Sequence, residues 1–229
     1  MQKTIFIFLF TLFATSCCAQ KTNAVIPDLE QLVAQKRITA FNRNINLMKN
    51  AKNKISLYMN TKEHYGVAWL TGYAFSDGTL EFDVKGKDVL QQSFVGLAFH
   101  GVNDRTMDVI YFRPFNFQAP DAGRKSHSVQ YVSLPEYDWQ RLRTEHPDKY
   151  EQALKHPPQP DEWFHVRVVI KQPEVKVYVN NNPEPDLVVE QLGDRKGEMI
   201  GFWTGHQSDG NFANLKITSK KSNKWKKPF

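Results

Sequence analysis

Two histidines and one arginine are the residues of this chain best suited to chemistry. His100 and His127 are candidate acid–base groups, because an imidazole exchanges protons near neutral pH. Arg113 lies inside the run DVIYFRPFNF (residues 108–117), where a guanidinium would stabilise an oxyanion or an enolate. Around them Tyr111, Asn116, Gln130 and Trp203 offer hydroxyl, amide and indole groups of the kind that hold a sugar by hydrogen bonds and ring stacking. Strand alternation sets Ile110 and Phe112 on one face and Tyr111 and Arg113 on the other. In SFVGLAFHG (93–101) the same alternation separates Val95, Leu97 and Phe99 from Gly96, Ala98 and His100. In EMIGFWTG (198–205) it separates Ile200 and Phe202 from Gly201 and Trp203. One face is therefore expected to be packed. The other is expected to be a shallow polar hollow carrying His100, Tyr111, Arg113 and Trp203, and such a hollow suits a saccharide.

Simpler roles compete with each of these assignments. Arg113 could pair with Asp108, Glu81 or Asp83 on a solvated face, and His100 could be a satisfied structural histidine. Trp139 and Trp163 read as core or edge packing. Both cysteines, Cys17 and Cys18, fall in the first twenty residues, which removes thiol catalysis and cysteine-bound zinc from the folded body. The seven histidines show no metal-binding spacing. No loop carries an Asp-rich calcium string, so no cofactor is expected.

The elements that must position these groups are mostly strands. Short runs rich in Val, Ile, Phe and Tyr, bounded by Gly, Asn, Asp or Pro, recur from residue 54 to residue 219. There is no βαβ rhythm. IPDLEQLVAQKR (26–37) reads as a short helix capped by Asp28. LPEYDWQRLRTEHPDKYEQALKHPPQP (134–160) interrupts the strand pattern, and a short helical insertion is expected around 135–157. An insertion of this length inside a compact domain is usually functional or covers an edge. The fold class is all-β, a two-sheet jelly-roll sandwich formed by a single domain over 24–219.

The ends of the chain read differently. MQKTIFIFLFTLFATSCCAQ has an early lysine, an apolar run and then small residues, the pattern of an export signal over 1–19. It ends either before Cys17, as a lipoprotein signal with lipid on that cysteine, or after Ala19. The expected localisation is therefore exported: a periplasmic or outer-membrane-anchored lipoprotein, or a secreted protein. Contact with a membrane would run only through the lipid anchor. The formal net charge is +6, but five lysines stand in the tail 220–229 and one in the signal. The body is thus near neutral, and nucleic acid is not an expected partner.

The stretches DGTLEFDVKG, GLAFHG, DEWFHVRVVIKQPEVKVYVNN and GEMIGFWTGHQSDGNFANLKIT resemble the concanavalin A-like lectin and glucanase superfamily. Within it the chain is most similar to the secreted bacterial 3-keto-disaccharide hydrolase family, over residues 75–219. The resemblance implies a jelly roll whose concave sheet face meets a saccharide, and hydrolase or lyase activity on a 3-keto-glycoside. The alternative it leaves open is a non-catalytic, lectin-like domain of the cell envelope. Family-16 glucanases of the same fold set two glutamates and an aspartate on one strand. Here EFDVKGKD supplies Glu81 and Asp83, with Lys85 or Gly86 where the second glutamate belongs. A retaining mechanism needs both carboxylates about 5 Å apart, so it is not expected.

Overall fold

The computed structural model describes residues 23–50 and 53–219. The expected export signal with Cys17 and the basic tail lie outside them. The chain opens with β1 (Asn23–Val25), α1 (Leu29–Ala34), β2 (Ile38–Phe41), β3 (Ile45–Lys49), β4 (Ile55–Met59) and β5 (Gly66–Leu70). It continues through β6 (Gly78–Lys85), β7 (Val95–Asn103), β8 (Thr106–Phe112), the one-turn helices α2 (Pro114–Phe117) and α3 (Ala122–Lys125), and β9 (Val129–Leu134). Then follow α4 (Trp139–Glu145), β10 (Glu151–Gln152), β11 (Phe164–Lys171), β12 (Glu174–Val179), β13 (Leu187–Glu190), β14 (Met199–Thr204) and β15 (Gly210–Ser219).

Two antiparallel sheets result. One has the order β13-β12-β11-β6-β15-β4-β3, with β1 added alongside β15. The other, which carries the site, has the order β10-β9-β8-β7-β14-β5-β2. This is the expected two-sheet sandwich with short helices interspersed. Alternation explains the packing of the first sheet: in β6, Leu80, Phe82 and Val84 are buried while Glu81, Asp83 and Lys85 are half-buried on the outer face. The strands β11 and β12 follow the same rule.

Aromatic rings join the sheets. Phe202 of β14 stacks on Phe212 of β15 at 4.7 Å between centroids, and Phe112 of β8 meets the edge of Phe164 of β11 at 5.2 Å. By contrast β5, β7 and β8 are buried almost throughout their length. One of their faces belongs to the core, and the other is covered by the side chains and segments that build the site.

Several local expectations are corrected. The strand carrying the arginine ends at Phe112 rather than Phe115, because Pro114 cannot continue the ladder and instead begins α2. The expected insertion condenses to α4, which is capped by Asp138, plus the two residues of β10, which return to pair with β9 at the sheet edge. The strands β1, β2 and β3 were not legible in the sequence. The expected helix near residue 30 is present as α1, with the Asp28 carboxylate accepting from the Gln31 N–H.

Glu81 and Asp83 lie on the outer face of the first sheet, away from the site. His165 Nδ1 sits 2.7 Å from Asp83 Oδ1, and Lys216 Nζ sits 2.8 Å from Glu81 Oε1. The hydrogen bond to Asp83, opposed by partial burial, raises the His165 pKa above 6.5. Burial pushes the Asp83 carboxyl up, but hydrogen bonds from His165 and Asn214 outweigh it and leave the pKa lowered.

Two outcomes follow from this architecture. Phe202→Ala should lose about 3–5 kcal/mol of unfolding free energy in denaturant titration, the usual cost of a large ring deleted from a packed core. His165→Asn should cost roughly 0.2–1 kcal/mol, given the pair's partial exposure. A raised histidine pKa stabilises the fold fully below about pH 6.5 and ceases to do so as the pH passes the folded-state value. The difference between wild type and His165→Asn should therefore be largest near pH 5 and vanish in alkaline buffer.

Candidate functional site

The floor of the site is one register row across the second sheet. Glu151 of β10 pairs with Gln130 of β9, Gln130 with Tyr111 of β8, and Tyr111 with Gly96 of β7. Gly96 pairs in turn with Trp203 of β14, Trp203 with Val67 of β5, and Val67 with Phe41 of β2. Residues in one row point to one face, so a carboxylate stands at one end of the row and an aromatic ring at the other. Gly96 is required in the middle: a Cβ there would collide with the backbone of Ile110 and Tyr111. Above this row opens a groove of about 1510 Å³, larger than the roughly 300–1,000 Å³ typical of small-ligand pockets.

The polar end is built around Glu151, which is only 3% exposed. Arg143 from α4 donates to both of its oxygens, Nε to Oε1 and Nη2 to Oε2, each at 2.8 Å. Arg113 Nη1 lies 3.5 Å from Oε2, and His127 Nδ1 lies 2.9 Å from the same oxygen. Burial pushes the Glu151 carboxyl up, but the Arg143 hydrogen bonds and the Arg113 and Arg143 charges prevail and hold it below the usual value. His127 is shifted down, first by burial and further by the two guanidiniums, against the pull of Glu151. It is thus a neutral imidazole at pH 7, lining the groove with its side chain 27% exposed.

Arg113 is held firmly on its other sides. Its Nη1 donates to the His127 carbonyl at 2.9 Å, and its Nη2 donates to the Tyr111 hydroxyl at 2.7 Å and to Gln130 Oε1. The Tyr111 hydroxyl donates to that same Gln130 oxygen at 2.6 Å. The guanidinium also lies over the Tyr111 ring, 4.9 Å from its centroid. Asn116, displaced from the strand into α2, lines the groove with its Oδ1 accepting from Arg124 Nε at 3.3 Å.

Of the residues expected from sequence, Tyr111, Arg113, Asn116, His127 and Trp203 line one groove. Gln130 lies fully buried beneath it and acts on its neighbours, while its own Nε2 has no hydrogen-bond partner among the described residues. His100 does not join them. A register irregularity after Phe99 and a left-handed backbone at His100 (φ 48°) break the alternation and turn the ring inward. There Nε2 donates to the Ser76 carbonyl at 2.6 Å, while Nδ1 lies 3.0 Å from Asp108 and 2.8 Å from the Gln191 amide. Arg195 also pairs with Asp108. The simpler reading of His100 as a satisfied interior histidine is the one the fold adopts.

Trp203 keeps its place but with a different exposure. It is buried between Tyr65 and Tyr111, with ring centroids at 6.1 and 5.1 Å, and its indole N–H has no acceptor among the described residues. Trp139, read as packing, is instead 47% exposed on the rim of the groove with the Arg143 guanidinium over its ring. Sequence reasoning missed Glu151, Arg143, Arg124 and Tyr65. The first two sit eight positions apart in a segment without period, so no spacing connects them. At the far end Arg43 is buried and, among the described residues, has no carboxylate partner. It donates to Thr204 Oγ1 and to the carbonyls of Asn42, His64, Thr204 and Gly205, and burial pushes its pKa down to about 10. Among the described residues, no three His, Cys, Asp or Glu side chains are grouped to hold a metal ion.

Comparison with known proteins follows the same lines. The chain is similar in fold to a carbohydrate-binding module from Bacillus subtilis, with a TM-score of 0.52 at 14% identity over 79% of this chain and 94% of the module. It is similarly related to the carbohydrate recognition domain of Emp46p in its metal-free form, with a TM-score of 0.54 at 11% identity over 85% and 93% of the two chains. A Bacillus subtilis protein of unknown function with a galectin-like fold gives 0.51 at 13% identity, over 79% and 88%. At such identities these likenesses establish the fold. No curated protein matches the chain. Residues 35–218, which contain every strand of the groove-bearing sheet, match the 3-keto-alpha-glucoside-1,2-lyase-like domain, and the chain belongs to that family.

Proposed function

We propose that the groove binds a 3-keto-glucoside and eliminates its aglycone, with His127 as the base. The observation that carries this reading is the His127–Glu151 pair at 2.9 Å on the groove wall. A buried carboxylate beside one imidazole nitrogen orients the ring and leaves Nε2 as the nitrogen a ligand can reach. A ketone at C3 acidifies the hydrogen on C2. His127 takes that proton, the C2–H electrons form an enolate on O3, and their return forms the C1=C2 double bond as the C1–O bond breaks. The departing alkoxide regains a proton from the imidazolium, so neither oxidant nor metal enters the balance. Arg113 and Arg143 supply positive charge near the developing enolate. The expected export signal fits a protein that meets such glycosides outside the cytoplasm, and we include that location in the proposal.

A second reading has its own observation. All the Arg113 contacts described above are internal, so the guanidinium forms a rigid wall rather than a free catalyst. A saccharide-binding domain without turnover would look the same at that residue, and the fold relatives include carbohydrate-binding proteins.

Incubation with a 3-keto-α-glucoside separates the two. The lyase reading expects release of the aglycone together with a conjugated enone that absorbs in the ultraviolet. His127→Gln should lower turnover by about 10²–10⁴ while binding and melting temperature hold. Binding of the ketone by the wild type without any product would end the lyase reading and leave the binding one. The base must be neutral, and its pKa lies below 6.5. Turnover should therefore stay level as the pH falls to about 6.5 and decline only under it.

A further inference from the structure

Resting on the saccharide reading, we infer that Trp139 is a ligand-binding residue: the sugar ring that meets His127 lays its C–H face against this indole. Trp139 opens α4 directly after the Asp138 cap, whose carboxylate accepts from the Arg141 N–H at 2.8 Å. Leu142 of the same helix is buried and anchors it. Arg143, four residues after Trp139, falls on the tryptophan's side of the helix, and its guanidinium lies 5.2 Å from the ring centroid. Both side chains line the groove.

The exposure of this ring is what sets it apart. Trp69 and Trp203 are 3% and 6% exposed, whereas Trp139 keeps 47% of its surface open. Trp163 is exposed as well, but it does not line the groove. Ring surface left in water forgoes the gain that burial brings, and a ligand with an apolar face recovers it. The ring is also ordered in advance. Arg143 donates Nε and Nη2 to the two Glu151 oxygens, each at 2.8 Å, which fixes the guanidinium and with it the packing of the indole beside it. A ring already held in place loses little rotamer freedom when a ligand arrives.

The same contacts fix the end of the groove at which Trp139 acts. From the indole the path runs through Arg143 to Glu151, and from Glu151 Oε2 to His127 Nδ1 at 2.9 Å. Asn42, His64, Arg105 and His206 line the far end instead. A pyranose carries its hydroxyls around its edge and its C–H groups on its faces. Its edge can therefore meet the imidazole and the Asn116 amide while a face rests on the indole. Trp139 thus decides which side of the sugar turns towards His127.

Calorimetric titration with methyl 3-keto-α-glucoside tests this in the full-length protein carrying His127→Gln, so that the ligand survives. Adding Trp139→Ala should weaken binding about tenfold, equivalent to about 1.4 kcal/mol. Trp139→Phe, which keeps a smaller ring, should recover most of that loss. The melting temperature should hold in both, since the position is exposed. If Trp139 served only to hold Arg143, its loss would release that cation and shift His127, whose proton affinity Arg143 lowers. An NMR pH titration of the His127 ring in Trp139→Ala should therefore superimpose on that of the wild type, and a displaced curve would overturn the stacking role. Unchanged affinity in Trp139→Ala, or equal losses in the Ala and Phe variants, would overturn it too and leave the saccharide reading standing. No binding of the glucoside by either the wild type or the His127→Gln parent would overturn the saccharide reading and this inference with it.

Discussion

A carboxylate almost removed from water has to be answered by cations, and the site depends on how Glu151 is answered. Left alone, its burial would cost several kcal/mol and the group would take up a proton instead. Arg143 grips both oxygens, Arg113 stands on a third side and His127 on a fourth. The arrangement sets three properties together. It holds the Glu151 pKa below its usual value, its two guanidiniums add to the burial that lowers the His127 pKa, and it fixes Arg113, through which Tyr111 and Gln130 are fixed as well. Removing Arg143 would unbalance all of them, because the remaining charges were placed for a neutralised carboxylate.

How much of this was legible in the sequence depended on periodicity. Where strands alternate without interruption, as in β6, β11 and β12, the sequence showed which face each side chain occupies. His100 shows why alternation fails elsewhere. A single left-handed residue at an irregular pairing shifts the count by one, and nothing in GLAFHG marks it, since the position is not glycine. Glu151 and Arg143 were illegible for another reason. They meet through the tertiary path of an irregular segment, and sequence distance carries no information about such a path.

The edge strands β1 to β3 were missed because their residues are exposed or half-buried rather than cleanly alternating. The family resemblance fixed the sandwich, yet Glu151 and Arg143, against which Arg113 and His127 are set, come from the inserted segment. The polar end of the groove thus draws its central ion pair from the part of the chain least constrained by the fold.

The two-residue pairing of β10 has a consequence of its own. Glu151 reaches the sheet through a ladder only two positions long, at an outer edge, while Tyr111 and Trp203 stand on the inner strands β8 and β14. Protection against opening is therefore unequal along the groove. Under mild destabilisation the Tyr111 and Trp203 floor would persist after the Glu151 end of the groove had come apart.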